Sequence, residues 1–287
     1  MSRLRDTPQS LRFGTLAVRR SFYREVVDDQ ERVAENLLHW EEAAQLHEST
    51  YFDSGTARDG ELAPFEVDEL GDLADQRVCH LQCHIGGNTL SLARLGATVV
   101  GVDFSPAALS IARRRAIADG ASDRVTFVCA DVDHAGEALA AQFDGVYMSW
   151  GAICWLPNLD RWASTVRDLL NAGGWLYVAD THPYAMTVRW NRYPYGGASP
   201  IRTDDRGDYT LADADFEHAR TWEWNHGIGE IVTALANAGL ALEWLHEHTT
   251  VAWNLGDEHN LVHGPDGLWE APRSTLPLSF SLRAVNK

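Results

Sequence analysis

The residues best placed to do chemistry lie between positions 78 and 105, which read VCHLQCHIGGNTLSLARLGATVVGVDFS. An apolar run leads into a polar turn holding Gly86 and Gly87. A helical segment follows, and a second apolar run ends at Asp103. Glycine lets backbone approach a ligand closely because it has no Cβ. A helix opening behind the turn adds oriented N–H groups. A carboxylate at the end of the next strand can accept from both hydroxyls of a ribose. The arrangement suits an adenosine-containing ligand, with Asp103 on the ribose. Asp103 also has a purely structural use open to it, as a cap, because Ser105 and Pro106 follow with the signature of a helix start.

Proton chemistry has three further sources. His226 and Glu230 lie four apart in WNHGIGEIVTALANAGL. On one helix they share a face, so Glu230 can orient an imidazole that removes a proton from an acceptor. A capping or surface pair at the helix start accounts for them equally well. His182 follows a predicted strand, where acceptor-site residues gather in open α/β sheets; its bland role is to stabilise the turn at Pro183. Tyr23 lies on an N-terminal helical pattern and either roofs the pocket or packs in the core. The pairs Cys79-His80 and Cys83-His84 bring zinc to mind. Side chains alternate across a strand, and structural zinc uses two separated ligand pairs, so no metal is expected.

Composition narrows the partners. The chain has 287 residues, 45% of them hydrophobic and 23% charged, enough for one large α/β domain with additions. A net charge of −17 repels phosphate backbones, so no nucleic acid is expected. No stretch approaches the ~20 apolar residues of a membrane span, and no apolar segment follows the N-terminal arginines, so a cytoplasmic protein without membrane contact is expected. The four cysteines read as reduced, buried thiols. Ten of the eleven tryptophans follow position 149, which points to an aromatic-rich pocket in the C-terminal half; Trp150, Trp155, Tyr184, Trp190, Trp222 and Trp224 are its candidates, although most should simply pack.

Elements that could position these residues follow a βα rhythm. Residues 21–48 carry helical periodicity. Strands are expected over 77–82, 98–102, 125–129, 144–148 and 175–179. Helices are expected over 89–95, from Ser105 to about residue 119, and over 159–170, the last closed by Gly173-Gly174. Residues 183–220 break the rhythm and read as an insertion that covers a site. A helix over 224–238 and strands over 241–246 and 277–285 complete the pattern, the final strand pairing last in the sheet.

This order resembles the Rossmann-like (class I) family of S-adenosylmethionine-dependent methyltransferases of the small-molecule type. The family's first motif reads acid-x-Gly-x-Gly-x-Gly. Aligned on LSLARLGA, this chain has His80, Gln82, His84 and Gly86 at those places, so only the last glycine remains. The resemblance implies that Asp103 binds ribose, Phe104 packs on adenine, Asp131 accepts from the adenine amino group and Val132 flanks the ring. It places Ser149 and Trp150 under the methionine moiety, where Gln82 and His84 offer polar side chains. LLNAGGWLYVAD and PLSFSLRAVNK resemble the family's later landmarks.

The expected fold is therefore α/β: a mainly parallel seven-strand sheet with helices on both faces. Residues 1–60 would form an N-terminal segment and helical cap, and residues 61–287 the methyltransferase domain with a lid-like insertion at 183–220. The cofactor implied is S-adenosyl-L-methionine. The acceptor implied is a small, aromatic or indole-like specialised metabolite, methylated on C, N or O. A homodimer is an open alternative to a monomer. Two other functions use the same strand–turn–helix–acid order: an NAD(P)-dependent oxidoreductase and a non-catalytic S-adenosylmethionine-binding protein.

Overall fold

The computed structural model describes residues 28–53, 61–187, 193, 200–207, 214–256, 259–272 and 275–287. In chain order the helices are α1 (Asp29–Asp53), α2 (Pro64–Leu70), α3 (Gly87–Arg94), α4 (Pro106–Ala118), α5 (Ala135–Leu139), α6 (Leu159–Leu169) and α7 (Ile228–Asn237). The first strands are β1 (Arg77–Leu81), β2 (Thr98–Asp103), β3 (Val125–Cys129), β4 (Phe143–Ser149) and β5 (Leu170–Thr181). A hairpin follows, β6 (Ile201–Asp204) with β7 (Arg220–Glu223). Next come β8 (Leu240–His248), β9 (Thr250–Val251), β10 (Val262–His263), β11 (Trp269–Glu270) and β12 (Ser279–Asn286).

Seven strands form the central sheet in the order β3-β2-β1-β4-β5-β12-β8. The first five are parallel, and β12 runs antiparallel to both neighbours. The chain moves outward from β1 to β3, then returns to place β4 on the other side of β1. That reversal leaves a crevice at the carboxyl ends of the strands. The expected seven-strand α/β sheet is present. The last strand is not at its edge, however: β12 inserts between β5 and β8, and β8 is the border.

Alternation builds two cores from the same strands. Cys79, Leu81, Val146, Met148, Leu176 and Val178 face α6 and α7, while Val78, Tyr147, Tyr177 and Ala179 face the side of α2 and α3. Helix α6 is amphipathic, burying Leu159, Trp162, Ala163, Val166 and Leu169 at helical spacing. Ser105 caps α4 by accepting from Ala108 N–H, with Pro106 at the first helical position, as its sequence indicates.

Three local expectations need correction. Gly173-Gly174 does not close α6, which ends at Leu169 and runs straight into β5. The glycines instead form a bulge, because Phe143 pairs with Leu170 while Gly145 pairs with Trp175. The helix expected from 224 starts at Ile228: Trp224 N–H donates to the Cys154 carbonyl at 2.7 Å, which holds that stretch extended. The thiols are all free, but only Cys79 and Cys83 are buried; Cys129 ends the edge strand β3 and is exposed.

Candidate active site

A cleft of about 940 Å³ lies over the carboxyl ends of β1, β2, β3 and β4. The loop after β1 forms its floor. Gln82, His84 and Gly86 adopt φ of 53°, 48° and 79°. These are three of the four motif positions aligned above, so the turn keeps its left-handed geometry where the glycines are gone. A non-glycine residue there costs about 1–2 kcal/mol. Such strain persists only where the surroundings hold it. Gln82 and His84 line the cleft. The Gln82 carboxamide oxygen is buried without a hydrogen-bond partner. Gly86 does not line it: a Cβ there would come within 2.9 Å of the Ala112 Cβ and 3.2 Å of the Phe127 ring, so this glycine serves the turn and its packing. His80, at the acid position, is also turned away. It is buried against Thr89 Oγ1 at 2.8 Å, and burial pushes its imidazole down to about 3.

Asp103 ties two loops together at the end of β2. Its carboxylate accepts from His84 N–H at 2.8 Å and from Ser105 N–H at 2.9 Å, and it also lines the cleft. Burial pushes its pKa up to about 6, against those N–H donors, and Glu41 adds repulsion. Phe104, Asp131 and Val132 follow along the same wall. Asp131 caps a short 3-10 turn, accepting from His134 N–H at 2.9 Å and meeting the His134 ring at 2.7 Å. Ser149 and Trp150 close the floor after β4, with Trp150 at φ 36°.

Buried carboxylates hold the loop after β4. Asp180, at the end of β5, accepts from the N–H groups of Gly151, Ala152 and Ile153 at 2.7, 3.2 and 3.1 Å. Glu66, on α2, accepts from Tyr147 O–H at 2.7 Å, Trp150 Nε1–H at 2.9 Å and Ala63 N–H at 2.8 Å. Asn88 donates to both Tyr147 Oη and Ser149 Oγ. Glu66 is wholly buried, and that raises its pKa to about 7 despite its three donors; Glu69 adds to the rise.

Helix α1 supplies the outer wall through Asp29, Val33, Asn36 and Trp40. The Trp40 ring meets those of Trp155 and His84 edge-on at 5.2 and 5.3 Å. Asn36 exchanges two hydrogen bonds with the backbone of Trp222, and Glu41 accepts from Ser105 O–H and Ala107 N–H. The helix thus bridges the first residues of α4 and the β6–β7 hairpin. Of the aromatic candidates, Trp150 and Trp155 line the cleft, Trp224 is core, and Trp190 lies outside the described residues.

The expected bases are not in the cleft lining. His226 is buried before α7, with Nε2–H donating to the Leu156 carbonyl at 2.8 Å. Burial lowers its pKa, opposed by that carbonyl and by Glu230. Glu230 caps the helix through Gly227 N–H at 2.9 Å, so the four-residue spacing spans a helix start rather than one face. His182 is buried beside Phe280. Its Nδ1 accepts from Tyr184 N–H and its Nε2 lies 3.0 Å from Glu247. Burial lowers its pKa against the pull of Glu247. Tyr23 lies outside the described residues. Trp40, His47 and Glu66 escaped the sequence because their approach to the site is purely tertiary; Glu66 at the third residue of a helix looks like an ordinary cap. No cluster of three or more metal-ligating side chains occurs among the described residues.

Residues 78–174 match the family model described as a methyltransferase domain. Methyltransferase GfsG of Streptomyces halstedii is 31% identical over 166 residues, covering 56% of this chain. The chain spans 59% of that relative's length. Two solved structures share the fold. An S-adenosylmethionine-dependent methyltransferase from Mesorhizobium loti has a TM-score of 0.52 at 21% identity, covering 77% of this chain and 96% of its own. The glycopeptide N-methyltransferase MtfA complexed with S-adenosylmethionine has a TM-score of 0.53 at 17% identity, covering 78% and 92%. Residues 78–174 thus match a methyltransferase domain, and the sheet order is the Rossmann-like fold that the solved methyltransferases share.

Proposed function

We propose that this chain transfers the methyl group of S-adenosyl-L-methionine to a small aromatic or indole-like specialised metabolite. The observation that carries the reading is the placement of Asp103. A buried carboxylate at the end of β2 faces the cleft directly beside the left-handed turn after β1. In this reading Asp103 receives the ribose hydroxyls, Phe104 and Val132 flank the adenine, and Asp131 accepts from its amino group. Gln82 and Ser149 lie at the methionine end. The unpartnered carboxamide oxygen of Gln82 suits an amino-acid moiety, accepting from its ammonium group.

The bound cofactor supplies a methyl group already activated on a sulfonium. The chain's own task is to orient a nucleophile and exclude water. Helix α1 acts as the cover, braced by Arg220 at the end of the 183–220 insertion through Glu35. Trp40, Trp150 and Trp155 favour a flat, aromatic acceptor. Among the described residues that line the cleft, Arg161 is the one Lys or Arg and is paired with Asp133, while Asp29, Asp131, Glu137, Asp160 and Asp168 also line it. That balance disfavours an anionic acceptor. A cytoplasmic location belongs to the same proposal; no helix among the described residues is long and apolar enough to cross a membrane.

Titration calorimetry with S-adenosylhomocysteine tests the cofactor assignment. Asp103→Ala should weaken binding by about 1.5–3 kcal/mol, the worth of a hydrogen bond to a charged group. Unchanged affinity in a folded variant rejects the role. Mass spectrometry of a metabolite extract after transfer from CD3-labelled cofactor then names the acceptor and the atom.

A further inference from the structure

We infer that His84, held by His47, is the group that takes the acceptor's proton; this rests on the methyltransferase reading above. His84 occupies a motif position aligned with glycine, at a left-handed φ of 48°, and is one of the residues that line the cleft. Its Nε2 lies 2.8 Å from Nδ1 of His47 on α1. His47 is wholly buried. The Trp40 ring stands edge-on to both imidazoles, at 5.3 and 6.0 Å. A helix that places a buried imidazole directly behind another in a cleft creates a pair able to share one proton.

The alternatives within the cleft are weaker. His134 is the other imidazole among the lining residues, but it is exposed and its bond to Asp131 raises its pKa, which favours the protonated form that cannot act as a base. His226 and His182 do not line the cleft. Among the described residues, the His84 ring meets His47, Asp103 accepts from its backbone N–H, and Glu41 is close enough to raise Asp103.

The step balances simply. The acceptor atom forms a bond to the methyl carbon, and the carbon–sulfur bond breaks with its electron pair left on sulfur. The acceptor's proton moves to the His84–His47 pair and later exchanges with water. His84 is the catalytic residue in this scheme, and His47 is a positioning residue.

His84→Gly is the informative variant, because glycine suits the left-handed turn, and binding of S-adenosylhomocysteine checks that the variant is folded. CD3-labelled S-adenosylmethionine and a metabolite extract of the source cells supply donor and acceptor. The expected result is a fall in kcat of roughly 10²–10⁴ with loss of the acidic limb of the pH–rate profile. Because kcat is read at saturating S-adenosylmethionine, a change in cofactor affinity at this turn does not produce that fall. His47→Phe should lower kcat and move the limb, and His47→Gln, which keeps a hydrogen-bonding partner, should restore part of the rate. Independently of turnover, 15N-histidine spectra of the free protein should show the His84 ring titrating between about pH 5 and 8, with a midpoint moved by His47→Phe. A His84→Gly enzyme that keeps its kcat and pH profile overturns the inference, as does one that loses affinity for S-adenosylhomocysteine while keeping kcat. A wild-type protein that fails to bind S-adenosylhomocysteine overturns the parent reading as well, so the two failures are distinguishable.

Discussion

Replacing Glu66 by glutamine should change how stability depends on pH. Glu66 is fully buried, and its carboxyl is raised from 4.5 to about 7 because burial outweighs the bonds from Ala63, Trp150 and Tyr147. In the unfolded chain the carboxyl titrates near 4.5. Between the two values the folded protein holds a proton that the unfolded chain has released. Its stability contribution is therefore complete below about 4.5 and is lost as pH rises through about 7. At 1.36 kcal/mol for each pH unit, that loss comes to about 3 kcal/mol. The glutamine side chain cannot titrate, so the replacement adds only a constant offset, arising from the amide N–H that must face one of the three donors. His80, lowered to about 3 by burial, changes stability in the opposite sense below 6.5. It is common to both proteins and cancels in the difference. The assay is urea unfolding of the ligand-free wild type and Glu66→Gln at intervals from about pH 4 to 8, with the two free energies subtracted at each pH. The variant should gain on the wild type by about 3 kcal/mol between about pH 4.5 and 7. Differences constant to within about 0.5 kcal/mol, the usual size of a neutral surface change, would refute the argument.

Two other outcomes follow from the packing. Helix α1 grips β7 through Asn36 and α4 through Glu41, so its amide exchange should slow when S-adenosylhomocysteine and acceptor bind together; equal exchange with and without them, while the core gains protection, removes it as a cover. His226→Ala should lower thermal stability, because the Leu156 carbonyl loses its donor in a buried setting, costing about 1–3 kcal/mol. Its pH–rate profile should match the wild type; loss of the profile's acidic limb would return His226 to the chemistry.

The crevice lies over the strand ends, and α1 forms its outer wall, braced by the β6–β7 hairpin through Asn36 and Trp222. Specificity therefore belongs to the segments outside the parallel sheet, and variation among loops on a constant scaffold is the general route to new substrates.

Local signals in the sequence determined most of the sheet. Strand β3 occupies the predicted residues, β1, β2 and β4 lie within one residue of theirs at each end, and Ser105-Pro106 starts α4 as its residue types require. These features rest on side-chain alternation, helical spacing and capping, all settled within a few residues of chain. Asp103 was legible for the same reason, since a carboxylate at a strand end needs no distant partner to be noticed. Only the tertiary structure decided which histidines reach the cleft. The spacing of His226 and Glu230 suggested a shared helix face, but the bond from Trp224 N–H to the Cys154 carbonyl and the cap at Gly227 delay the helix to Ile228. His84 meets His47 across 37 residues, and Glu66 meets Trp150 across 84. Contacts at such separations leave no periodic trace in the sequence, because they depend on how α1 and α2 dock on the sheet. Burial, which sets the charge state of Glu66, Asp103 and His80, is a property of that docking and not of the residues themselves.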